Sequence, residues 1–166
     1  LNKGKIQEIG ESKKIVHDYY RAWGDNHRVE QDALKLQKAE LLNSSKEPCS
    51  TFKASENGIL SLEFHSDTEL KDIAVAFTVK REDGLVIFDA HSEITSGVKY
   101  HFRQKENKTI EITFRASLPQ GLYYIGTYLQ QDGKKIYFYD DELLQFYVLA
   151  PKLSGQSYTY LDVTWQ

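Results

Sequence analysis

Apolar and polar residues alternate with a period of two along most of the chain after residue 36. The alternation is clearest in residues 60–65, 73–80 and 110–115, which read LSLEFH, IAVAFTVK and IEITFR. A period of two is typical of strands that bury one face. Turn signals rich in Asn, Asp, Ser and Gly separate the runs. Further strands are predicted at residues 38–42, 85–90, 100–103, 122–130, 143–149 and 158–165.

About nine short strands at even spacing, with no helix between them, predict an all-β fold. The arrangement expected from this pattern is an immunoglobulin-like antiparallel β-sandwich with Greek-key connections. Residues 118–123, LPQGLY, fit the tyrosine corner of such sandwiches. There a Tyr that follows a Gly turn starts the next strand and bonds to upstream backbone, so we expect Tyr123 to be structural.

The first 36 residues have a different texture. Residues 1–24 predict a short strand and then a helix, with Ser12 as N-cap and Gly24 as its end. Residues 25–36 are polar and are interpreted as a linker. The predicted division is therefore a strand and helix segment at 1–24, a linker at 25–36 and the β-sandwich at 37–166. The chain has no Met and starts with Leu1, which suggests a fragment of a longer polypeptide.

Composition argues against nucleic-acid binding, a disulfide-stabilised domain and a membrane-spanning segment. The net charge of −3 gives no basic footprint for nucleic acid. The single cysteine cannot form an internal disulfide, which suits a reducing compartment. The chain has no run of 18 apolar residues that would span a membrane and no secretory signal pattern.

Catalytic and cofactor signatures are also missing. The sequence contains no GxxxxGK[ST] phosphate loop and no HExxH, CxxC or GxSxG motif. The five His residues lack metal-ligand spacing. The consecutive acids at 140–142 are expected in a turn, solvated and ionised, whereas a glycosidase needs two carboxyl groups facing each other across a cleft. We therefore expect no enzyme activity, no metal and no cofactor.

Two parts of the chain resemble parts of one transporter family. Residues 1–10, followed by Ile15, Val16 and Tyr19, resemble the tail of an ABC ATPase domain. The sandwich is similar to the C-terminal carbohydrate-binding domain of the Wzt-type ATP-binding subunit of O-antigen polysaccharide ABC exporters. The segments that carry this second resemblance are residues 60–64, 74–79, 83–84, 86–88 and 118–123, with Trp165. After residue 88 the family often has a GTNT-like stretch, and this chain has DAHS.

The resemblance implies a function in polysaccharide export. It implies a non-catalytic cytoplasmic domain, held at the inner membrane through a transporter subunit, that recognises the O-antigen glycan near its non-reducing end. It also implies a homodimer that exchanges a C-terminal strand, and residues 154–156 (SGQ) would serve as the hinge. A purely structural dimerisation domain remains the alternative. A secreted sandwich is disfavoured by the single cysteine and the missing signal.

Alternation also predicts the face that would hold the glycan. If Tyr123 faces the core, then Tyr124 and Tyr128 face outward on the same strand. Tyrosines suit sugars because the ring packs on a pyranose face while the hydroxyl bonds to its rim. The core residues expected from the same reasoning are Ile73, Val75, Phe77, Val79, Ile125, Thr127, Leu129, Leu144, Phe146 and Val148, with Ala74, Ala76 and Gly126 on the outer side.

The predicted carbohydrate-binding residues are Tyr124, Tyr128, Tyr147, Gln145, Thr78, Lys80, Arg81 and His91. The three cationic or titratable residues among them would favour an acidic sugar or a phosphate cap. Two other interpretations of the tyrosines stay open, a dimer interface and ordinary cross-strand pairing. If the glycan lies elsewhere, the expected place is the opposite sheet around Glu111, Thr113 and Arg115.

Overall fold

The computed structural model describes residues 33–149 and 163–165, which form ten strands and one short helix. The elements in chain order are β1 (Leu34–Asn43), β2 (Thr51–Lys53), β3 (Asn57–Ser66), β4 (Leu70–Arg81), β5 (Val86–His91), α1 (Ser92–Ser96), β6 (Tyr100–Phe102), β7 (Glu106–Arg115), β8 (Gly121–Gln131), β9 (Lys135–Leu149) and β10 (Val163–Trp165). Among these residues no helix is long and apolar enough to cross a membrane.

The strands form two sheets that pack face to face. The four-stranded sheet has the order β1-β3-β7-β10, and the six-stranded sheet has the order β2-β9-β8-β4-β5, with β6 also paired to β4. All pairs are antiparallel except β2 with β9. The predicted all-β sandwich is confirmed.

Phenylalanine rings join the two sheets in the core. Phe114 of β7 lies 5.4 Å from Phe77 of β4 and 5.7 Å from Phe52 of β2, measured between ring centroids. Phe146 of β9 lies 5.8 Å from Phe114. All four rings are almost fully buried, and tilted or edge-on contacts of this kind stabilise beyond burial alone. The six-stranded sheet therefore packs on the four-stranded sheet through one of its sides, and its other side points away from this core.

The predicted inward positions are confirmed. Along β4 the four expected core residues have no exposed area, and along β8 and β9 only Leu144 is partly exposed. Thr127, a polar residue predicted in the core, is buried and its hydroxyl donates to the Ala76 carbonyl oxygen at 2.6 Å. That hydrogen bond removes the cost of burying the hydroxyl.

The tyrosine corner is present. The Tyr123 hydroxyl donates to the Pro119 carbonyl oxygen at 2.8 Å, and its ring stacks on Phe146 with centroids 5.5 Å apart. Burial raises the pKa of the Tyr123 phenol, so the group stays a neutral donor near neutral pH. Tyr123 is thus a structural residue, as the sequence predicts.

Some elements differ from the sequence-based expectation. β1 begins at Leu34, inside the segment 25–36 that was expected to be a linker. β2 has only three residues, too few for a period to be recognised. The acids at 140–142 lie within β9 and not in a turn, because β9 continues through them as an irregular, bulged strand. The predicted segment 1–24, the hinge at 154–156 and most of the strand at 158–165 lie outside the described residues.

Candidate functional site

The candidate site is the side of the six-stranded sheet that points away from the core. We call this side the outer face. In antiparallel sheets, directly opposed residues point to the same side. One cross-strand row therefore carries Lys80, Tyr124 and Gln145, and a second carries His91, Ala76, Tyr128 and Tyr139. Tyr124 and Tyr128 are four residues apart on β8, so the two rows lie about 14 Å from each other.

Tyr128 is the centre of an aromatic group that we call the Tyr128 cluster, consisting of Tyr128, Tyr139, His91 and Gln130. The Tyr128 ring centroid lies 6.1 Å from that of His91 and 6.5 Å from that of Tyr139. Both contacts are tilted, at 45° and 34°. Tyr139 is 39% exposed and Tyr128 is half-buried, so the cluster presents ring surface to solvent on a fixed base.

Small residues form the floor beside this cluster. Ala74 and Ala76 lie on the outer side of β4, as predicted, but neither has any exposed area. Ala74 is directly opposite Gln130, and Ala76 is directly opposite both Tyr128 and His91. The two alanines therefore lie on the predicted side of the strand, where larger neighbours cover them.

His91 is a buried, uncharged member of the cluster. Its side chain is 7% exposed, and burial lowers its pKa against the opposing effect of Glu93 and Asp89. The Gln130 amide Nε2 lies 2.6 Å from His91 Nε2. In either orientation of the amide a neutral imidazole makes this hydrogen bond, as acceptor from the amide nitrogen or as donor to the amide oxygen. The buried Nδ1 has no hydrogen-bond partner among the described residues.

Lys80 is neutralised by an acid from across the sheet. Its Nζ forms an ion pair with Asp141 Oδ2, and the two side chains are only 16% and 20% exposed. The pair spans β8, because Lys80 lies on β4 and Asp141 on β9. The ammonium group of Lys80 is therefore held over β8, between the two rows, as half of a salt bridge.

A glycine makes this salt bridge possible. In the β8–β9 pairing, Ile125 faces Leu144 and Thr127 faces Asp140, so residues 141–143 bulge against Gly126 alone. A Cβ on Gly126 would lie 2.8 Å from Asp141 Cα and 2.6 Å from Thr78 Oγ1. Since real Cβ atoms do not approach other atoms so closely, only glycine lets the bulge bring Asp141 over β8.

The other end of the outer face is more open. Gln145 and Tyr147 are exposed, and the Tyr147 hydroxyl accepts a hydrogen bond of 3.2 Å from the Gln120 side chain. Tyr124 is opposite Gln145 and half-buried. Aromatic surface and amide groups thus occur at both ends of the face, with the Lys80–Asp141 pair between them.

Arg81 lies apart from the other predicted site residues. It is opposite Tyr123, which faces the core, and it stands at the exposed end of β4. Its Nε donates to Asp83 at 3.0 Å, and this guanidinium lowers the pKa of the Asp83 carboxyl to about 2. The structure therefore brings seven of the predicted residues to the outer face, namely Tyr124, Tyr128, Tyr147, Gln145, Thr78, Lys80 and His91.

Sequence reasoning missed Asp89 and Tyr139, and although alternation turns Gln130 outward it was not among the predicted binding residues. Asp89 lies opposite Thr78 on the outer face, and it forms no hydrogen bond or ion pair with a described residue. Its pKa is raised by partial burial, and its charge contributes to raising the pKa of Tyr128. Alternation through His91 could have found Asp89, because the two are separated by one residue. Tyr139 lies in a stretch with no predicted strand.

The outer side of the four-stranded sheet has a different character. Alternation in the register of β1, β3, β7 and β10 places no Phe, Tyr or Trp there within the described residues. Both oxygens of Glu111 accept from Lys46 Nζ at 2.9 Å, and Arg115 Nε donates to the Ser55 carbonyl oxygen at 3.1 Å. No group of three metal-ligating side chains occurs in the described part of the chain.

Comparisons with known proteins identify the family. The chain matches the family model described as Wzt C-terminal domain over residues 25–160, so the expected ATPase tail at 1–24 lies outside the match. No curated protein matches. The crystal structure of the C-terminal domain of wzt has a TM-score of 0.64 at 11% identity, covering 75% of this chain and 84% of that one.

A second solved structure is similar at a lower level. A Niemann-Pick type C2 protein from Japanese carpenter ant has a TM-score of 0.47 at 15% identity, covering 72% of this chain and 93% of its own. The family match covers most of the chain and agrees with the sandwich and its tyrosine corner. The protein therefore belongs to the Wzt C-terminal domain family, the carbohydrate-binding domains of ABC exporter subunits.

Proposed function

We propose that this chain recognises an O-antigen polysaccharide in the cytoplasm for an ABC exporter at the inner membrane, and that the glycan binds on the outer face. The observation that carries the proposal is the Tyr128 cluster, a partly exposed aromatic platform fixed on a packed sheet. The described outer side of the opposite sheet offers no such ring. Family membership supports the same function.

The chemistry of the outer face suits an extended glycan. A tyrosine ring packs on the apolar side of a pyranose, and amide, hydroxyl and carboxylate groups bond to its hydroxyls. Tyr128 and Tyr139 lie at one end of the face, and Tyr124, Gln145 and Tyr147 lie at the other. Because about 14 Å of strand separates the ends, a chain of several sugars can contact both.

The same face is suited to binding without hydrolysis. A glycosidase places two carboxyl groups across the scissile bond, one as acid and one as base or nucleophile. Asp141 is ion-paired with Lys80 across β8, so it is not a free partner for Asp89 in such an arrangement. We therefore expect recognition only, with the polysaccharide recovered intact.

The direct test is calorimetric titration of the chain with O-polysaccharide purified from the source strain. Saturable binding is expected, and binding that depends on the non-reducing terminal sugar would place recognition at that end. The same polysaccharide with its terminal residue removed is the matched control. Absence of binding by the intact polysaccharide to the folded chain would overturn the proposed function and favour a purely structural dimerisation domain.

We also propose a homodimer in which C-terminal strands are exchanged. Among the described residues, three of β10 pair with β7, and Trp165 is 7% exposed. Trp165 Nε1 donates to Thr95 Oγ1 at 3.0 Å. A strand from a partner chain would fill the same place with the same contacts, so this small element is suited to exchange.

Deletion of residues 155–166 tests the exchange. The deletion removes Trp165, whose loss from a buried site typically costs about 3–5 kcal/mol. We expect a lower melting temperature and a shift from dimer to monomer, measured by light scattering after size-exclusion chromatography. A truncated chain that is still dimeric and has an unchanged melting temperature would contradict the exchanged-strand dimer.

A further inference from the structure

We infer that the Tyr128 end of the outer face takes an uncharged sugar whose hydroxyl groups donate to Asp89, and that it rejects carboxylate-, phosphate- and sulfate-bearing sugars. The inference rests on the proposed function, since it names the class of glycan that the proposed site accepts. It replaces the sequence-based expectation of an acidic or phosphate cap, which depended on Lys80, Arg81 and His91.

None of those three residues offers a positive charge to a ligand on the outer face. Lys80 is ion-paired with Asp141 in a mostly buried position. Arg81 belongs to the other side of its strand and bonds to Asp83. His91 is buried, and burial lowers the pKa of its imidazole below the ordinary value, so it is neutral at pH 7. An anionic sugar would lose its hydration here without gaining a cation.

Asp89 supplies the charge that the ligand meets. It is one register step from His91 on the same side of β5, and it lies opposite Thr78. Because the His91 ring lies 6.1 Å from the Tyr128 ring, Asp89 stands beside the aromatic platform, and its charge adds to the effect of burial in raising the pKa of Tyr128. A carboxylate can only accept hydrogen bonds, and it has room for several donors.

Sugar hydroxyls are the donors that match this arrangement. A pyranose resting on Tyr128 presents hydroxyls around its rim, where hydrogen bonds to an ionised carboxylate are stronger than neutral ones. Asp89 has no hydrogen bond or ion pair with a described residue, so it does not have to release a partner to accept them. A second negative charge at this place would be repelled by Asp89.

The first experiment measures the salt dependence of binding. The full chain is titrated with source-strain O-polysaccharide at low and high NaCl, and with the same polysaccharide after chemical reduction of its carboxyl groups and removal of its phosphates. Because screening weakens only charge-charge attraction, Kd is expected to change by less than about twofold between 50 and 500 mM NaCl. Kd is expected to be unchanged after reduction and dephosphorylation. Binding that weakens about fivefold or more at high salt, or is lost after either treatment, would overturn the inference.

The second experiment uses Asp89→Asn, with Asp83→Asn as the matched control in the neighbouring turn. Asp89→Asn is expected to weaken polysaccharide binding about tenfold while leaving the melting temperature equal or higher, because the cost of partly burying a charge is removed. Asp83→Asn is expected to leave binding unchanged. If the wild-type chain binds and Asp89→Asn binds equally well, the proposed function stands and this inference fails; if the wild-type chain does not bind, both fail.

Discussion

Replacement of Tyr128 by Ala is expected to weaken polysaccharide binding about tenfold or more while the domain stays folded. A ring contact of this kind is worth about 1–1.5 kcal/mol, and 1.4 kcal/mol corresponds to a tenfold change in Kd. Tyr128 also fixes the cluster, since its ring packs against both His91 and Tyr139. Its removal therefore takes away the platform and loosens its neighbours. Calorimetric titration measures the binding, and thermal unfolding checks the fold.

Two controls separate ring loss from general damage. Tyr128→Phe keeps the platform, so it is expected to retain most of the affinity. Tyr123→Phe removes the hydrogen bond to Pro119 and is expected to cost about 1 kcal/mol of stability without changing the affinity of the folded domain. A folded Tyr128→Ala protein with wild-type affinity would place the glycan away from this cluster.

Gly126→Ala adds a single methyl group, and it is still expected to lower the stability of the domain substantially. The added Cβ would lie 2.8 Å from Asp141 Cα and 2.9 Å from the Asp141 carbonyl oxygen, so backbone must move. Overpacking of this kind costs about 1–3 kcal/mol. Chemical denaturation gives the free energy of unfolding.

Gly121→Ala is the matched control, because it lies at the start of the same strand. Its Cβ would meet nothing closer than 3.7 Å, which is an ordinary contact with the Tyr123 ring. We expect this variant to unfold within about 0.5 kcal/mol of the wild type. Equal stability of the two alanine variants would show that β9 can shift freely and that Gly126 does not hold the bulge.

Regular alternation made the fold predictable, and with it the side of the sheet on which the candidate residues lie. The inward and outward positions of β4 and β8 follow from a period of two, and Tyr123 could be placed at a corner because a local LPQGLY pattern carries that geometry. These are properties of neighbours in sequence. They required no knowledge of which strands pair.

The chemistry between strands could not be predicted in the same way. The Lys80–Asp141 pair depends on a bulge that shifts the register of β9 against Gly126, and alternation fails at a bulge. The neutral state of His91 depends on burial by side chains from β8. Lys80 and His91 supply positive charge in the sequence, and an acidic ligand was expected for that reason. Both effects remove that charge in the folded domain.

The central claim is that the glycan binds the outer face of the six-stranded sheet, and chemical-shift mapping with source-strain O-polysaccharide tests it most directly. Backbone amide signals of Asp89, Gly126 and Tyr128 are expected to shift in a saturable way, while those of Glu111 and Thr113 on the other sheet stay in place. Shifts centred on Glu111 and Thr113, with Gly126 and Tyr128 unaffected, would contradict the claim.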